Sequence, residues 1–189
     1  MITFDEKSHT YKCSKTGREL ISATTLIGKY KKPFDKMENA TRVANREGLD
    51  VEFVLDMWEK EKNRACDYGT SIHKVMEDYL TEGVQEEEHE SLYSSFNKWK
   101  HIFKKFPTLL CEEKLHDLDS FIAGTADLIP YNEFMLKPMD HLSVCEFNTY
   151  GLQLSLYAYL HEKSSGKKCT GCVIFYKDKE NKFYPIRVN

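Results

Sequence analysis

The sequence predicts an α/β fold in which helices flank a central mixed β-sheet. The first observation behind this prediction is a change of hydrophobic period near Pro107, because apolar residues recur at helical intervals before it and in strand-like runs after it. The second is the order of elements (helices, paired strands, a helix, paired strands), which is typical of a sheet covered by helices. The third is size, since 189 residues, 41% of them hydrophobic, fit one domain. We therefore predict a single domain over residues 1–189.

The N-terminal part, residues 1–34, is predicted to form a β-hairpin followed by a short helix. Residues 3–4 and 10–13 are β-prone and flank a polar turn. Ser22 precedes an apolar stretch, and serine is a favoured cap at the beginning of a helix. Pro33 ends this part because proline cannot continue a helix.

The middle part, residues 35–108, is predicted to be helical. Asp35 is a favoured N-terminal cap, Gly69 is expected to begin a new helix, and Pro107 is expected to end the last one. The predicted helices cover residues 36–46, residues 51–65, a segment that begins at residue 69, and an amphipathic segment with Leu92, Phe96, Trp99 and Phe103 on its apolar stripe.

The C-terminal part, residues 109–189, is predicted to contain most of the sheet. Apolar and β-branched residues favour strands, and a long segment of helical period lies between two strand pairs. The predicted elements are strands at 109–115 and 121–129, a helix at 148–162, and a closing hairpin at 171–176 and 183–188.

Charge and hydropathy exclude several classes of protein. Lys plus Arg is 27 and Asp plus Glu is 30, so the formal net charge is −3. This balance argues against a protein whose affinity for nucleic acid comes from bulk positive charge, but it does not exclude a DNA enzyme. The apolar runs are too short to span a bilayer, and the N-terminus lacks the pattern of a signal peptide. We therefore expect a cytoplasmic protein with no membrane partner.

Cys169 and Cys172 form the one closely spaced pair among six cysteines. A structural zinc site usually needs two such pairs, and the sequence contains no second pair. The pair is either part of a metal site or a turn that leads into a strand.

His73 and Glu77 form the first cluster of residues that could carry chemistry. Four residues apart on a helix, they project from the same face. An imidazole and a carboxylate so placed can bind a divalent metal or hold its water. The alternative is an ordinary surface pair.

Asp127 forms the second cluster, because it lies in an otherwise apolar, β-prone run. An uncompensated carboxylate in such a place is unfavourable, so a cation or hydrogen-bond donors are expected beside it. The alternative is a turn or bulge aspartate bound to backbone. Glu112 and Glu113 on the preceding strand alternate in facing, so just one of them can share a face with Asp127.

Gln153 and Tyr157 form the third cluster, a polar ridge four residues apart on the predicted C-terminal helix. An amide and a phenol can contact a phosphate, a base or a metal-bound water. They equally often connect a helix to neighbouring backbone.

Together these clusters resemble the PD-(D/E)XK nuclease superfamily, specifically its RecB-like and phage exonuclease branch. The three motifs G-x-x-x-H-x-x-x-E, G-T-x-D and Q-x-x-x-Y occur in the order found in that group, and the match spans nearly the whole chain. The matching residues are Gly69, His73, Glu77, Gly124, Thr125, Asp127, Gln153 and Tyr157. The resemblance implies a restriction-endonuclease-like core.

The resemblance also implies a metal-dependent reaction on DNA. Asp127 would hold Mg²⁺ or Mn²⁺, His73 would complete the metal shell, and Glu77 lies on the same helical face as His73. The cation would polarise the scissile phosphate and make a bound water more acidic. The candidate catalytic residues are Asp127, Glu113, Gln153 and Tyr157, and the candidate metal ligands are His73, Asp127 and Glu77.

One motif of the superfamily is absent. A D-x-K or E-x-K strand normally follows the G-T-x-D strand, but none occurs between Asp127 and Gln153, and the nearest string, at Glu146, has asparagine in place of lysine. We therefore expect that this strand is missing between about Ile129 and Phe134, either because residues are omitted from the sequence or because the protein has lost its second metal carboxylate and lysine.

One lysine in this interval, Lys137, could substitute for the missing motif lysine. Pro138 directly follows it, which makes a regular strand there doubtful.

The function that follows is a phage-type DNA nuclease, most simply an exonuclease, that hydrolyses phosphodiester bonds in recombination, repair or DNA processing. Its partners would be DNA and either a second copy of the chain or a recombination protein. The alternative is a catalytically inactive relative that binds DNA or a protein.

Overall fold

A computed structural model gives the fold in two compact units. The larger unit comprises residues 1–30 and 84–189, and the smaller unit comprises residues 31–83. The structure describes residues 2–5, 8, 10–31, 33–98, 109–130, 134–139, 144–178, 180 and 182–188.

The larger unit begins with the predicted hairpin. Strand β1 (Ile2–Asp5) pairs antiparallel with β2 (Thr10–Cys13), which confirms this element. A further strand that the sequence analysis missed, β3 (Glu19–Ser22), pairs antiparallel with β2. Helix α1 (Ala23–Gly28) follows, and the Ser22 hydroxyl accepts a hydrogen bond from the Thr25 amide at 3.0 Å. The predicted serine cap is therefore confirmed.

The smaller unit is a pair of helices, α2 (Lys36–Glu47) and α3 (Val51–Thr81). Asp35 caps α2, as predicted, by accepting a hydrogen bond from the Glu38 amide. The prediction that a new helix begins at Gly69 is wrong, because Gly69 lies inside the continuous helix α3. A single glycine disfavours a helix by only about 1 kcal/mol relative to alanine, which a long helix tolerates. The buried contact between the two helices is made by Ala40, Ala44 and Val54.

Apart from β6, which the sequence analysis did not predict, the remaining elements of the larger unit follow the predicted order. Trp99, Phe103 and Pro107 of the predicted amphipathic helix lie outside the described residues. The elements are α4 (Glu90–Asn97), β4 (Leu109–Asp117), β5 (Ile122–Pro130), β6 (Phe134–Met139), α5 (Val144–Ser165), β7 (Gly171–Lys177) and β8 (Phe183–Val188).

Strand β5 occupies the centre of a mixed sheet. One of its edges pairs antiparallel with β4 from Leu109 to Asp117, with an interruption at Glu112 and Asp127. The other edge pairs in parallel with β3 at Ile122 and Ala123, and antiparallel with β6 at Leu128. Strand β6 then pairs in parallel with β7, and β7 pairs antiparallel with β8. The predicted mixed sheet, with N-terminal strands joined to it, is confirmed.

Strand β6 shows that a regular strand does form around Lys137 and Pro138, where the sequence made one doubtful. Its pairing with β7 runs through all six residues from Phe134 to Met139, whereas its pairing with β5 is recorded at Leu136 alone. The edge that faces β5 can therefore accommodate a proline, which has no N–H to donate. Part of the interval in which a missing strand was expected, residues 131–133, lies outside the described residues.

Helices cover both faces of the sheet in the larger unit. On one face, Leu154 and Leu160 of α5 pack in one core with Leu115 and Ile174 of the strands. On the other face, the Phe96 ring of α4 meets the Phe175 and Phe183 rings edge-on, each at 5.7 Å between centroids. In the part of the chain that the structure describes, no helix combines the length and apolar character needed to cross a membrane.

Candidate active site

Strand β5 carries the G-T-x-D residues in the middle of the sheet. Ala126 is buried in the core beneath α5. Side chains alternate along a strand, so Thr125 and Asp127 project to the opposite face, and both are partly buried. Asp127 is therefore held on a rigid central element.

Glu112 of β4 is the acidic neighbour of Asp127. A carboxylate oxygen of Glu112 lies within 4.8 Å of one of Asp127. The flanking register pairs, Cys111 with Leu128 and Glu113 with Ala126, put Glu112 directly opposite Asp127. Two carboxylates this close repel each other, and a cation between them removes the repulsion. The pair offers the oxygen donors that hard divalent cations prefer.

The register indicates which of the two glutamates shares a face with Asp127, a choice that the sequence left open. Residues directly opposite each other in an antiparallel pair share a face, and Glu113 lies opposite Ala126, whose side chain belongs to the core. Whether Glu113 has a catalytic role stays a prediction. The sequence could show that just one of the two glutamates faces Asp127, but not which one.

The ridge formed by Gln153 and Tyr157 lies against the same strand. A methyl group at Gly124 would be 2.5 Å from Cε1 of Tyr157, so the ring occupies the space that a side chain at this position would fill. The Gln153 amide donates to the Tyr157 hydroxyl at 2.7 Å, and both side chains are buried. The structure thus brings Q-x-x-x-Y and G-T-x-D together.

The pKa of Tyr157 is raised well above its ordinary value. Burial is the main cause, and the negative charges of Asp127 and Glu112 act in the same direction, while the hydrogen bond from Gln153 opposes them. The Tyr157 phenol therefore stays protonated at neutral pH. Because its oxygen accepts from Gln153, its own hydrogen can be donated to another acceptor.

Tyr11 of β2 is a residue of this region that the sequence analysis missed. Its hydroxyl is hydrogen-bonded to the Thr125 hydroxyl at 2.8 Å, although the two residues are 114 positions apart. A tyrosine in a β-hairpin is common and gives no signal of such a distant partner. In the structure Tyr11 and Cys13 are buried and Lys12 is exposed, so Tyr11 faces inward.

His73 and Glu77 belong to the smaller unit. Both lie on α3, four residues apart and partly buried, so they share one face of the helix as predicted. Their participation in a metal site stays a prediction.

Two other clusters contain metal-ligating side chains, and one of them, formed by Glu86, Glu88 and His89, also places its ligand atoms within 4.8 Å of one another. Among the residues that the structure describes, no third metal-ligating side chain joins Cys169 and Cys172 in a possible cation site, and β7 begins at Gly171, which favours the turn interpretation. Glu86 and Glu88 lie within ion-pair distance of His89, at 3.6 and 3.3 Å, next to one another in sequence. Both glutamates are exposed, as expected for a solvated acidic run.

Comparison with known proteins gives distant structural similarity alone. No family model matches the chain, and no curated protein matches it significantly. A solved structure titled "Crystal structure of SSO0001" is similar with a TM-score of 0.44 and 13% sequence identity. The similarity covers 89% of this chain and 66% of that one, so this chain spans just under two thirds of its length.

Proposed function

We propose that the protein is a metal-dependent DNA nuclease with a restriction-endonuclease-like core that hydrolyses phosphodiester bonds. The observation that carries this proposal is the pair of carboxylates, Glu112 and Asp127, on adjacent strands. The contact between Tyr157 and Gly124 supports it, because it joins two motifs of the nuclease resemblance that are distant in sequence. The substrate and reaction come from that resemblance.

The donor set fits Mg²⁺ or Mn²⁺. Asp127 and Glu112 supply carboxylate oxygens, and these cations favour oxygen ligands while keeping several waters. When bound, such a cation polarises a phosphate oxygen and lowers the pKa of a coordinated water. Asp127 and Glu112 would hold the cation, and His73 is the further ligand that the resemblance implies.

The buried phenol of Tyr157 contributes a neutral hydrogen-bond donor. Its raised pKa keeps the proton in place, so it adds no negative charge beside the two carboxylates. Its ring, packed against Gly124, fixes α5 on the strand that carries Asp127. Because Tyr157 packs in the core with Ala126, on the face of β5 opposite to Asp127, its role in this proposal is to stabilise the strand that carries the site.

Strand β6 supplies the candidate for the missing lysine. It follows the G-T-x-D strand and precedes the Q-x-x-x-Y helix, as the D-x-K strand does in the superfamily. Continued by one position, the pairing of Leu128 with Leu136 sets Lys137 opposite Asp127. We propose that Lys137 provides the motif lysine and that Glu112, from the other neighbour of β5, replaces the motif carboxylate.

Cleavage of linear and circular DNA in the presence of Mg²⁺ or Mn²⁺ tests the proposal. We expect degradation that is lost on removal of the metal, and an Asp127→Asn variant that is at least about 100-fold slower because it removes a direct metal ligand. A requirement for free ends would identify an exonuclease. His73→Ala in the same assay tests the predicted histidine ligand.

The matched control for this assay is Asp56→Asn. Asp56 is an exposed carboxylate on α3 paired with Lys60, so its loss should leave cleavage unchanged. Equal cleavage by the wild type and Asp127→Asn would contradict the proposal.

The second candidate function is a catalytically inactive protein that binds DNA. One observation favours it: β6 has Met135, two residues before Lys137, where an active relative has an acid. The inactive protein would retain DNA in a salt-dependent manner without cleaving it, with or without Mn²⁺.

A further inference from the structure

Tyr11 connects the N-terminal hairpin to the strand that carries Asp127. Its side chain is 6% exposed and its hydroxyl is hydrogen-bonded to Thr125 at 2.8 Å. Its ring packs on Phe4, with 4.6 Å between centroids. Packing alone would be satisfied by a phenylalanine, so the hydroxyl is the group whose presence needs an explanation.

The position of Thr125 links this hydrogen bond to the acidic pair. Thr125 precedes Asp127 by two residues on β5, so both side chains project from the same face of the strand. Thr125 also lies opposite Lys114 on β4, two residues after Glu112. A bond that holds Thr125 therefore fixes the stretch of β4 and β5 on which both carboxylates lie.

The electrostatics of Tyr11 agree with this placement. Burial raises the pKa of Tyr11, the hydrogen bond with Thr125 opposes that rise, and the negative charge of Glu112 adds to it. The phenol is thus close enough to feel the Glu112 charge and keeps its proton at neutral pH. It can pair with Thr125 without adding a charge to the site.

We infer that Tyr11 is a positioning residue that holds Asp127 and Glu112 in the geometry for cation binding through its hydrogen bond with Thr125. The inference rests on the proposed function, because it assigns Tyr11 a role in that same site. A hydroxyl that only satisfies a buried partner would contribute to stability and leave the cation affinity unchanged.

The test is Mn²⁺ binding to the full chain by titration calorimetry, with DNA cleavage measured beside it. Tyr11→Phe should weaken Mn²⁺ binding by about fivefold, which corresponds to about 1 kcal/mol for one lost hydrogen bond. The value of kcat should fall by a similar factor while KM for DNA stays constant. The matched control is Tyr184→Phe, since the exposed Tyr184 also donates to a partner, Asp178, at 3.1 Å.

Thr125→Val provides an independent second variant. It should weaken Mn²⁺ binding to a similar extent, and the Tyr11→Phe, Thr125→Val double variant should be no weaker than either single variant, because one interaction is removed in all three. Thermal melts of each variant check that the fold is retained.

The outcomes separate the inference from the proposed function. Wild-type affinity for Mn²⁺ in Tyr11→Phe, with or without a lower melting temperature, would overturn the inference alone. Mn²⁺ binding by the wild type without DNA cleavage would overturn the nuclease proposal. The Mn²⁺ affinity of Tyr11→Phe relative to the wild type would then still decide the inference. No Mn²⁺ binding by the wild type would overturn both.

Discussion

At the scale of single residues, the candidate site depends on the backbone of Glu112. Its φ of 50° lies in the left-handed region, which a non-glycine residue adopts at a cost of order 1–3 kcal/mol. Strain of this kind persists when surrounding structure enforces it, and here the ladder of β4 with β5 continues on both sides. The result is an acidic side chain beside Asp127.

Glu112 and Glu113 provide a matched pair of variants at this scale. Glu112→Gln should weaken Mn²⁺ binding by about tenfold or more, because it removes a charged oxygen donor next to Asp127. Glu113→Gln should stay within about twofold of the wild type, since Glu113 lies opposite the core residue Ala126. Calorimetric titration of both variants decides between them. A larger loss in Glu113→Gln would reinstate the glutamate that the sequence analysis preferred.

The sequence could predict Asp127 but not its partners. An acid in an apolar, β-prone run stands out locally, because an unpaired carboxylate there is unfavourable. The choice between Glu112 and Glu113 depends on strand register, which a one-residue shift reverses and which no local pattern specifies. Tyr11 depends on a contact across 114 positions, for which the chain carries no local signal.

At the scale of elements, α3 shows a local signal overridden by its context. The sequence predicts that a helix begins at Gly69, because glycine and hydroxyl residues favour such positions. In the structure the helix passes through Gly69 without interruption, and a methyl group there would meet nothing within 4 Å. The flanking residues thus outweigh the propensity of one glycine.

A continuous α3 predicts that Gly69→Ala stabilises the protein. Alanine is favoured over glycine inside a helix by about 0.8–1 kcal/mol, and no contact opposes the added methyl group. The free energy of unfolding, from urea denaturation, should rise by that amount. Gly48→Ala is the contrasting variant, because Gly48 ends α2 with a φ of 67° and alanine there is strained. Destabilisation by Gly69→Ala would indicate a break in the helix at this position.

Strand β6 is an element that forms although local sequence signals argue against it. Pro138 disfavours a strand because it lacks a donor, yet the parallel pairing with β7 includes it. Tertiary pairing decided the conformation, since a gap between β5 and β7 would leave backbone groups without partners. The helical period of residues 148–162, by contrast, predicted α5 correctly, although the helix begins earlier, at Val144.

At the scale of the whole molecule, composition and element order predicted the mixed sheet with helices on its faces. The division into a larger and a smaller unit did not follow from the sequence, which has no linker composition near residues 31–83. Such divisions depend on where contacts are dense, and this is a property of long-range packing. The hydrogen bonds that hold distant segments of the larger unit together are likewise visible only in three dimensions.

Asp117 is one such connection in the larger unit. It lies at the end of β4, is 6% exposed, and accepts hydrogen bonds from the Ser120 hydroxyl at 2.6 Å, the Tyr159 hydroxyl of α5 at 2.9 Å and the Asp119 amide at 3.1 Å. These hydrogen bonds lower the pKa of Asp117 below its ordinary value, and the bond from Ser120 has the largest effect. The carboxylate therefore connects the turn between β4 and β5 to α5.

The lowered pKa of Asp117 predicts how the stability of the protein depends on pH. A carboxyl with a depressed folded-state pKa contributes stability above its unfolded-state value, about 3.9, and this contribution is lost as the pH falls through the folded-state value. Asp117→Asn should lower the free energy of unfolding at pH 7 and give a shallower decline as the pH falls below about 4. The pKa of Asp178 is also lowered, mainly by the hydrogen bond from the Lys182 amide. Part of the loss of stability at low pH therefore remains in the variant. Denaturation of the wild type, Asp117→Asn and the exposed-residue control Asp56→Asn across this range measures the difference. Parallel curves for all three proteins would show that the connection from Asp117 to Tyr159 contributes nothing to acid stability.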